Sequence, residues 1–260
     1  MSDPAFYIRE SDPDLYASQE ATVGPWDPNL QHGGPVAALL ATRMENQIAE
    51  GTRISHFSLE FLSAVPKVTL EVNTDVIRHG KKIALYAARA TVGGRDVALA
   101  SAWALSAAEG RSQGVHDHEP PPPIPENAVS TYFAEIPHFP YGDALEWRFA
   151  EGGFRELGPA TVWTKLRVAI VRGEKVSPLA RILAMVDAAN GISAELDILK
   201  NLFVPVNLTV SLMRHPTTEW VGMRAVSSIN ADGIGITRTK LFDETGTIGE
   251  ALQTLYVERR

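Results

Sequence analysis

The 260-residue chain contains no cysteine, which excludes disulfides, thiolate nucleophiles and cysteine zinc sites before any pattern is read. It also lacks a basic block. Its 24 Lys and Arg stand against 31 Asp and Glu, a net charge of −7, and no run interleaves bases with aromatics. Nucleic acid and anionic membranes are poor partners for such a chain. No apolar run approaches membrane-spanning length. Met1-Ser2-Asp3-Pro4 has neither the basic nor the apolar region of a signal peptide, so the expected location is the cytoplasm. What is present is an ordinary globular composition, 45% hydrophobic and 21% charged, enough for one large domain or two small ones.

The most informative stretch is Val176 to Gly191, whose spacing predicts a helix with both ends marked. Ser177 suits the cap, Pro178 the first helical position, and Asn190-Gly191 a left-handed stop. Leu179, Ile182, Leu183 and Val186 form one apolar stripe. Asp187 lies on that stripe one turn beyond Leu183, in the last turn, where the helix dipole disfavours an anion by roughly 0.3–1 kcal/mol. Desolvating an unpaired carboxylate costs several kcal/mol more. Either Asp187 leans out to an arginine or water, or it is kept for chemistry.

A second helix is predicted where Gln31-His32-Gly33-Gly34-Pro35 leads into Val36 to Ala41, running to about Glu50 and stopped by Gly51. Tyr16 to Val23 alternates loosely and suits a strand opening a sheet. Strand patterns follow at His56–Phe61, Val68–Ile77, Ile83–Thr91 and Val97–Leu105. Residues 111–127, with Pro120 to Pro123, read as an extended semi-rigid linker. Beyond it the pattern restarts: strands near Leu145–Phe149 and Thr161–Val171, the Ser177 helix, then Val204–Met213, Trp220–Ser228, Ile236–Phe242 and Glu250–Val257. Pro66 corresponds to Pro216, and the Gly94 turn to the Gly246 turn. The sequence therefore predicts an α+β duplication of one helix-on-sheet unit, with boundaries 1–110, 111–127 and 128–260.

Two such units, the first carrying His32-Gly33-Gly34 at a helix start and the second Asp187, resemble the double hot-dog acyl-CoA thioesterases, in particular the bacterial type II group. The resemblance implies two fused units, each a long helix wrapped by a curved antiparallel sheet, and hydrolysis of acyl-CoA thioesters to free acid and CoA. In that family an Asp, a Thr or Ser, and a Gln hold the attacking water while backbone amides polarise the carbonyl. These roles fall on Asp187, on Thr209 in Asn207-Leu208-Thr209-Val210, and on Gln253 in Ala251-Leu252-Gln253-Thr254, with Gly33 and Gly34 at the oxyanion position and His32 beside them. The family often has an aromatic or another residue where His32 stands. No metal or cofactor is implied; the partner is the acyl-CoA substrate, and a homo-oligomer is expected.

The residues bear on these roles unequally. Gln253 shares a strand face with Ala251, Leu255 and Val257, and an amide among apolar neighbours must find partners. Simple alternation turns Thr209 outward, whereas aligning the two halves pairs it with Leu59 on a core face. We take the second reading, which leaves the other, apolar row for a subunit contact. Gly33-Gly34 lets a carbonyl approach helix N-terminal amides, or simply makes a tight turn. Gly110-Arg111-Ser112-Gln113-Gly114 matches a serine-hydrolase elbow in letters, but prolines follow instead of a helix. His116 and His118 in a flexible acidic segment make a poor metal site. Lys81, Lys82, Arg214 and Arg238 are available for CoA phosphates or merely solvated. Two rivals remain: a hot-dog enoyl hydratase or dehydratase, which needs a histidine beside its acid where none is expected beside Asp187, and a non-catalytic acyl-CoA-binding or scaffold protein. Whether the leaving group is CoA or a carrier-protein thiol stays open.

Overall fold

A computed structural model describes residues 3–115 and 119–260; His116 and His118 fall outside the described residues. The N-terminal half contains a hairpin of β1 (Ala5–Arg9) and β2 (Leu15–Ser18), then helix α1 (Gly33–Glu45). Four strands follow: β3 (Thr52–Phe61), β4 (Leu70–Arg78), β5 (Ile83–Val92) and β6 (Arg95–Ser106). The C-terminal half begins with the short α2 (Pro140–Asp143), β7 (Leu145–Glu151), β8 (Ala160–Leu166) and β9 (Ala169–Val171). Next come α3 (Pro178–Val186), the short α4 (Ala189–Ile192), β10 (Asn201–Pro205) and β11 (Asn207–Leu212). The long β12 (Trp220–Ile229), β13 (Ile234–Asp243) and β14 (Gly246–Arg259) complete it.

All the strands belong to one sheet, ordered β7-β8-β12-β13-β14-β11-β3-β6-β5-β4-β2-β1-β9, with β10 paired to β14. The halves join where β11 runs antiparallel to β3, Thr209 opposite Ser58. The far edge is closed by a parallel pair, β1 with β9, Ala5 opposite Ala169. Inside the curve lie α1 and α3, antiparallel. The start of α1 meets the end of α3, where a Cβ on Gly34 would stand 2.5 Å from the Ala184 carbonyl oxygen. At the other end Ser177, the cap of α3, reaches Glu45 of α1. Small residues permit the close approach: Ala37, Ala38 and Ala41 on one helix and Ala180 and Ala184 on the other are all buried. Each half is thus a helix wrapped by a curved antiparallel sheet, the double hot-dog architecture expected.

Local differences from the sequence reading have physical causes. Helix α1 ends at Glu45, five residues early, because Asn46 to Gly51 form a turn ending in Gly51 at φ 75°. The expected strand Thr161–Val171 is two strands, since after Leu166 the chain leaves β8 to pair with β1. The expected left-handed stop at Asn190-Gly191 is absent, and α3 ends instead at Asp187. The Asp187 carbonyl accepts a hydrogen bond from Gln253 Nε2 (3.1 Å), while the Gly191 amide turns to Ala188 O (3.0 Å). The Gln253 side chain thus satisfies a helix C-terminal carbonyl and restarts the chain as α4. The proline-rich segment is anchored: Trp163 Nε1 donates to Pro122 O (3.2 Å), Arg148 to Pro125 O (3.0 Å), and Glu119 pairs with Arg224 and Lys240.

Candidate active site

The site forms where the end of α3 meets the start of α1. His32 caps α1 in extended conformation, its Nδ1 accepting from the Gly34 amide (3.1 Å). The antiparallel helices bring Asp187, the C-cap of α3, to the same point: Asp187 Oδ2 lies 3.1 Å from His32 Nδ1. This answers the puzzle of an anion at a helix C-terminus. The field of its own helix opposes the carboxylate, but the amide-rich end of α1 faces it, and the Gly34 and Gly33 amides bond to it. A histidine does stand beside Asp187, contrary to the sequence expectation. The contact spans the two halves of the chain and exists only through helix pairing.

Burial pushes the Asp187 carboxyl up to about 7, against the opposing hydrogen bonds of Gln253, Gly34 and Gly33. Burial likewise holds His32 down to about 3, as a neutral imidazole. Because Gly34 donates to Nδ1, that nitrogen presents a lone pair, and the hydrogen between it and Oδ2 starts on the carboxyl. The two groups share one proton and titrate as a pair.

Gln253, 1% exposed, directs Nε2 to both Asp187 O (3.1 Å) and Asp187 Oδ1 (3.3 Å). Its Oε1 is buried without a hydrogen-bond partner among the described residues. Thr237 stands opposite Gln253 in the β13–β14 register, and counting donors shows why it does not supply one. Ser193 spends its hydrogen on Ala189 O (2.8 Å), so Ser227 must donate to Ser193 (2.8 Å) and Thr237 to Ser227 (2.8 Å). This buried hydroxyl chain ties the turn after Asp187 to the sheet.

Tyr141, which sequence reasoning missed, backs the histidine. Its ring stacks on His32 with centroids 3.7 Å apart and planes at 7°, and its hydroxyl donates to Ala184 O (2.7 Å). Only an aromatic held between Pro140 and Gly142 marked it in the sequence. Asn190, read as a helix stop, is buried and donates to Phe203 O (3.0 Å).

Thr209 is not at this site, contrary to the sequence reading. It pairs with Leu252 on β14, one residue out of phase with Gln253, and Leu252 is 45% exposed, so both lie on the outer face. Strand alternation, rather than alignment of the halves, gives its direction. Arg214 is committed to Asp243 through two 2.6 Å hydrogen bonds.

A cavity of about 480 Å³ opens onto the site, combining His32, Gly33 and Asp187 with apolar Trp26, Phe61 and Val206. That volume falls in the range of small-molecule sites. A larger depression beside the β12–β13 turn is open and touches none of His32, Asp187 or Gln253.

Comparison with known proteins places this arrangement in context. A family model for the acyl-CoA thioesterase N-terminal domain matches residues 22–105, and one for the C-terminal domain matches residues 116–257. No curated protein matches the chain significantly. Among solved structures, a protein of Thermobifida fusca YX proposed as a thioesterase II aligns with TM-score 0.74 at 17% identity, covering 97% of this chain and 95% of that one. An acyl-CoA thioesterase II from Mycobacterium marinum aligns with TM-score 0.67 at 13% identity, covering 98% and 96%. A hot-dog protein from Alicyclobacillus acidocaldarius aligns with TM-score 0.71 at 13% identity, covering 96% and 95%. With both halves matched by family models and the fold shared end to end, the chain belongs to the acyl-CoA thioesterase family, as a thioester hydrolase of the double hot-dog fold.

Proposed function

We propose that the chain hydrolyses acyl-CoA thioesters at the junction of Asp187, Gln253, His32 and the Gly33-Gly34 amides. The observation that carries this reading is the Gln253 side chain. Its nitrogen is committed to Asp187, while its buried Oε1 has no partner among the described residues. An unsatisfied buried acceptor costs about 1–3 kcal/mol, and a water donating to it from beside the carboxylate removes that cost. Such a water is the nucleophile. Gly33 lines the cavity, and its amide at the helix N-terminus turns from Asp187 to the carbonyl oxygen as charge develops, about 2.7–4 kcal/mol for one such donor. The mainly apolar cavity takes the acyl or pantetheine arm.

The test is thiol release from a panel of acyl-CoA chain lengths by wild type and Asp187→Asn, with folding checked by circular dichroism. Turnover by wild type that falls by about 10²-fold or more in the folded variant supports the reading. The Asp187–His32 contact favours one second reading, addition of water to an enoyl thioester. Hydration of enoyl-CoA without thiol release would establish that chemistry instead, and saturable binding without turnover would mark a binding protein. Running the panel with carrier-protein thioesters separates CoA from a protein-borne thiol.

A further inference from the structure

Resting on this hydrolytic reading, we infer that the atom taking the proton from the attacking water is His32 Nε2, and that Asp187 acts through the imidazole rather than on water directly. Both oxygens of the Asp187 carboxylate are already engaged. Oδ2 faces His32 Nδ1, Oδ1 faces Gln253 Nε2, the Gly33 and Gly34 amides bond to the group, and the residue is 3% exposed. The His32 ring differs in one respect. Its Nδ1 is held by Asp187 and Gly34, but Nε2 has no protein partner among the described residues, while the ring lines the cavity. Stacking on Tyr141 fixes the ring plane. The titratable groups that face the ring are Asp187 from α3 and Tyr141 from α2, and Asp27 lines the same cavity. An acid bonded to one imidazole nitrogen, with the other open to a reactant, is the arrangement in which the acid sets the tautomer and the imidazole moves the proton.

The step balances without a further reagent. Above about pH 7 the pair loses its shared proton: Asp187 is ionised, the ring hydrogen moves from Nε2 to Nδ1 facing Asp187, and the Gly34 amide bonds to the carboxylate instead of the ring. The Nε2 lone pair then accepts a proton as water oxygen bonds to the thioester carbon and the carbonyl electron pair moves onto oxygen. Collapse re-forms the carbonyl and breaks the carbon–sulfur bond, and the proton on Nε2 passes to the departing thiolate. The products are a carboxylic acid and a thiol, with His32 neutral again.

Two His32 variants test this. His32→Asn keeps an acceptor for the α1 cap and has no counterpart of Nε2. His32→Ala vacates the ring space. The expected result is a kcat loss of about 10²–10⁴-fold in His32→Asn with KM nearly unchanged. In His32→Ala, added imidazoles should restore turnover saturably, with the rescued rate rising as the imidazole becomes more basic, a dependence that a purely structural role would not produce. A His32→Asn enzyme with near wild-type kcat would overturn the proposal. So would a folded His32→Ala that still binds acyl-CoA yet is accelerated by no imidazole. If wild type releases thiol from no acyl thioester, the hydrolytic reading itself falls, and this inference with it.

Discussion

Ser177, the cap of α3, donates its hydroxyl to the Glu45 carboxylate in the last turn of α1. This repeats, at the opposite end of the helix pair, the meeting of His32 with Asp187. Each helix start faces a carboxylate from the end of the other helix, and burial raises the Glu45 carboxyl too, against the Ser177 hydrogen bond. The ends nevertheless differ chemically. The α1 start offers Gly33 and Gly34 amides, whereas Pro178 at the start of α3 has no amide hydrogen to give.

One end of the pair is therefore equipped for chemistry. Glu45→Gln should leave kcat within about twofold of wild type, whereas Asp187→Asn should lose roughly 10²-fold or more. Parallel steady-state assays check both, and a large loss in Glu45→Gln would assign the second end a role.

The shared proton predicts an unusual pH dependence of stability. Between about pH 4 and 6.5 the folded pair carries one proton, on Asp187, and the unfolded chain also carries one, on the free histidine. The two contributions cancel and stability from the pair is flat. Removing either partner exposes the other's slope. In Asp187→Asn, the folded state keeps His32 neutral while the unfolded state protonates it, so stability falls as pH drops below about 6.5. In His32→Asn, the folded state keeps Asp187 protonated while the unfolded state ionises it, so stability falls as pH rises from about 4 towards 7. Each slope approaches about 1.4 kcal/mol per pH unit, readable from denaturant midpoints across a pH series. Parallel curves for the two variants would contradict a shared proton.

Gly34 is where the helices touch. Gly34→Ala sets a Cβ 2.5 Å from Ala184 O, a backbone atom that does not swing aside. The variant should lose about 1–3 kcal/mol of stability, as overpacked cores do. Its kcat should fall as well, because the same shift moves the amide facing Asp187. Urea midpoints together with kcat measure both.

Thr209 and Thr237 offer a matched contrast. Thr209→Val, on the outer face, should change neither stability nor turnover appreciably. Thr237→Val removes the first donor of the buried hydroxyl chain and leaves Ser227 an unsatisfied acceptor, costing about 1–3 kcal/mol. It also loosens the turn that follows Asp187. Thermal melts and activity assays on the pair distinguish the faces of the sheet.

Much of the architecture was legible because helix caps, apolar stripes and turn glycines are local signals. The stripe ending in Asp187 and the apolar face holding Gln253 both led to buried polar groups that touch each other. What was not legible is set by pairing across the chain. The His32–Asp187 contact depends on the antiparallel helices, and Tyr141 reaches His32 through a short turn with no periodicity of its own. Helix α3 stops at Asp187 because a side chain from the last strand takes its carbonyl, not because of the Asn-Gly behind it. Thr209 was misdirected by alignment of the halves, although its own strand pattern pointed the right way.

The parallel pair of β1 and β9 has a consequence for how the molecule is made. Strand β1 finds its outer neighbour only after the linker and the opening strands of the second half exist, and that neighbour leads into α3. Joining points so distant in sequence carries a loop-closure cost that local hairpins avoid, so this edge is a late event in folding. The polypeptide closes as a clasp, β1 fastened beside the segment that delivers Asp187, and a nascent first half holds an open edge until then.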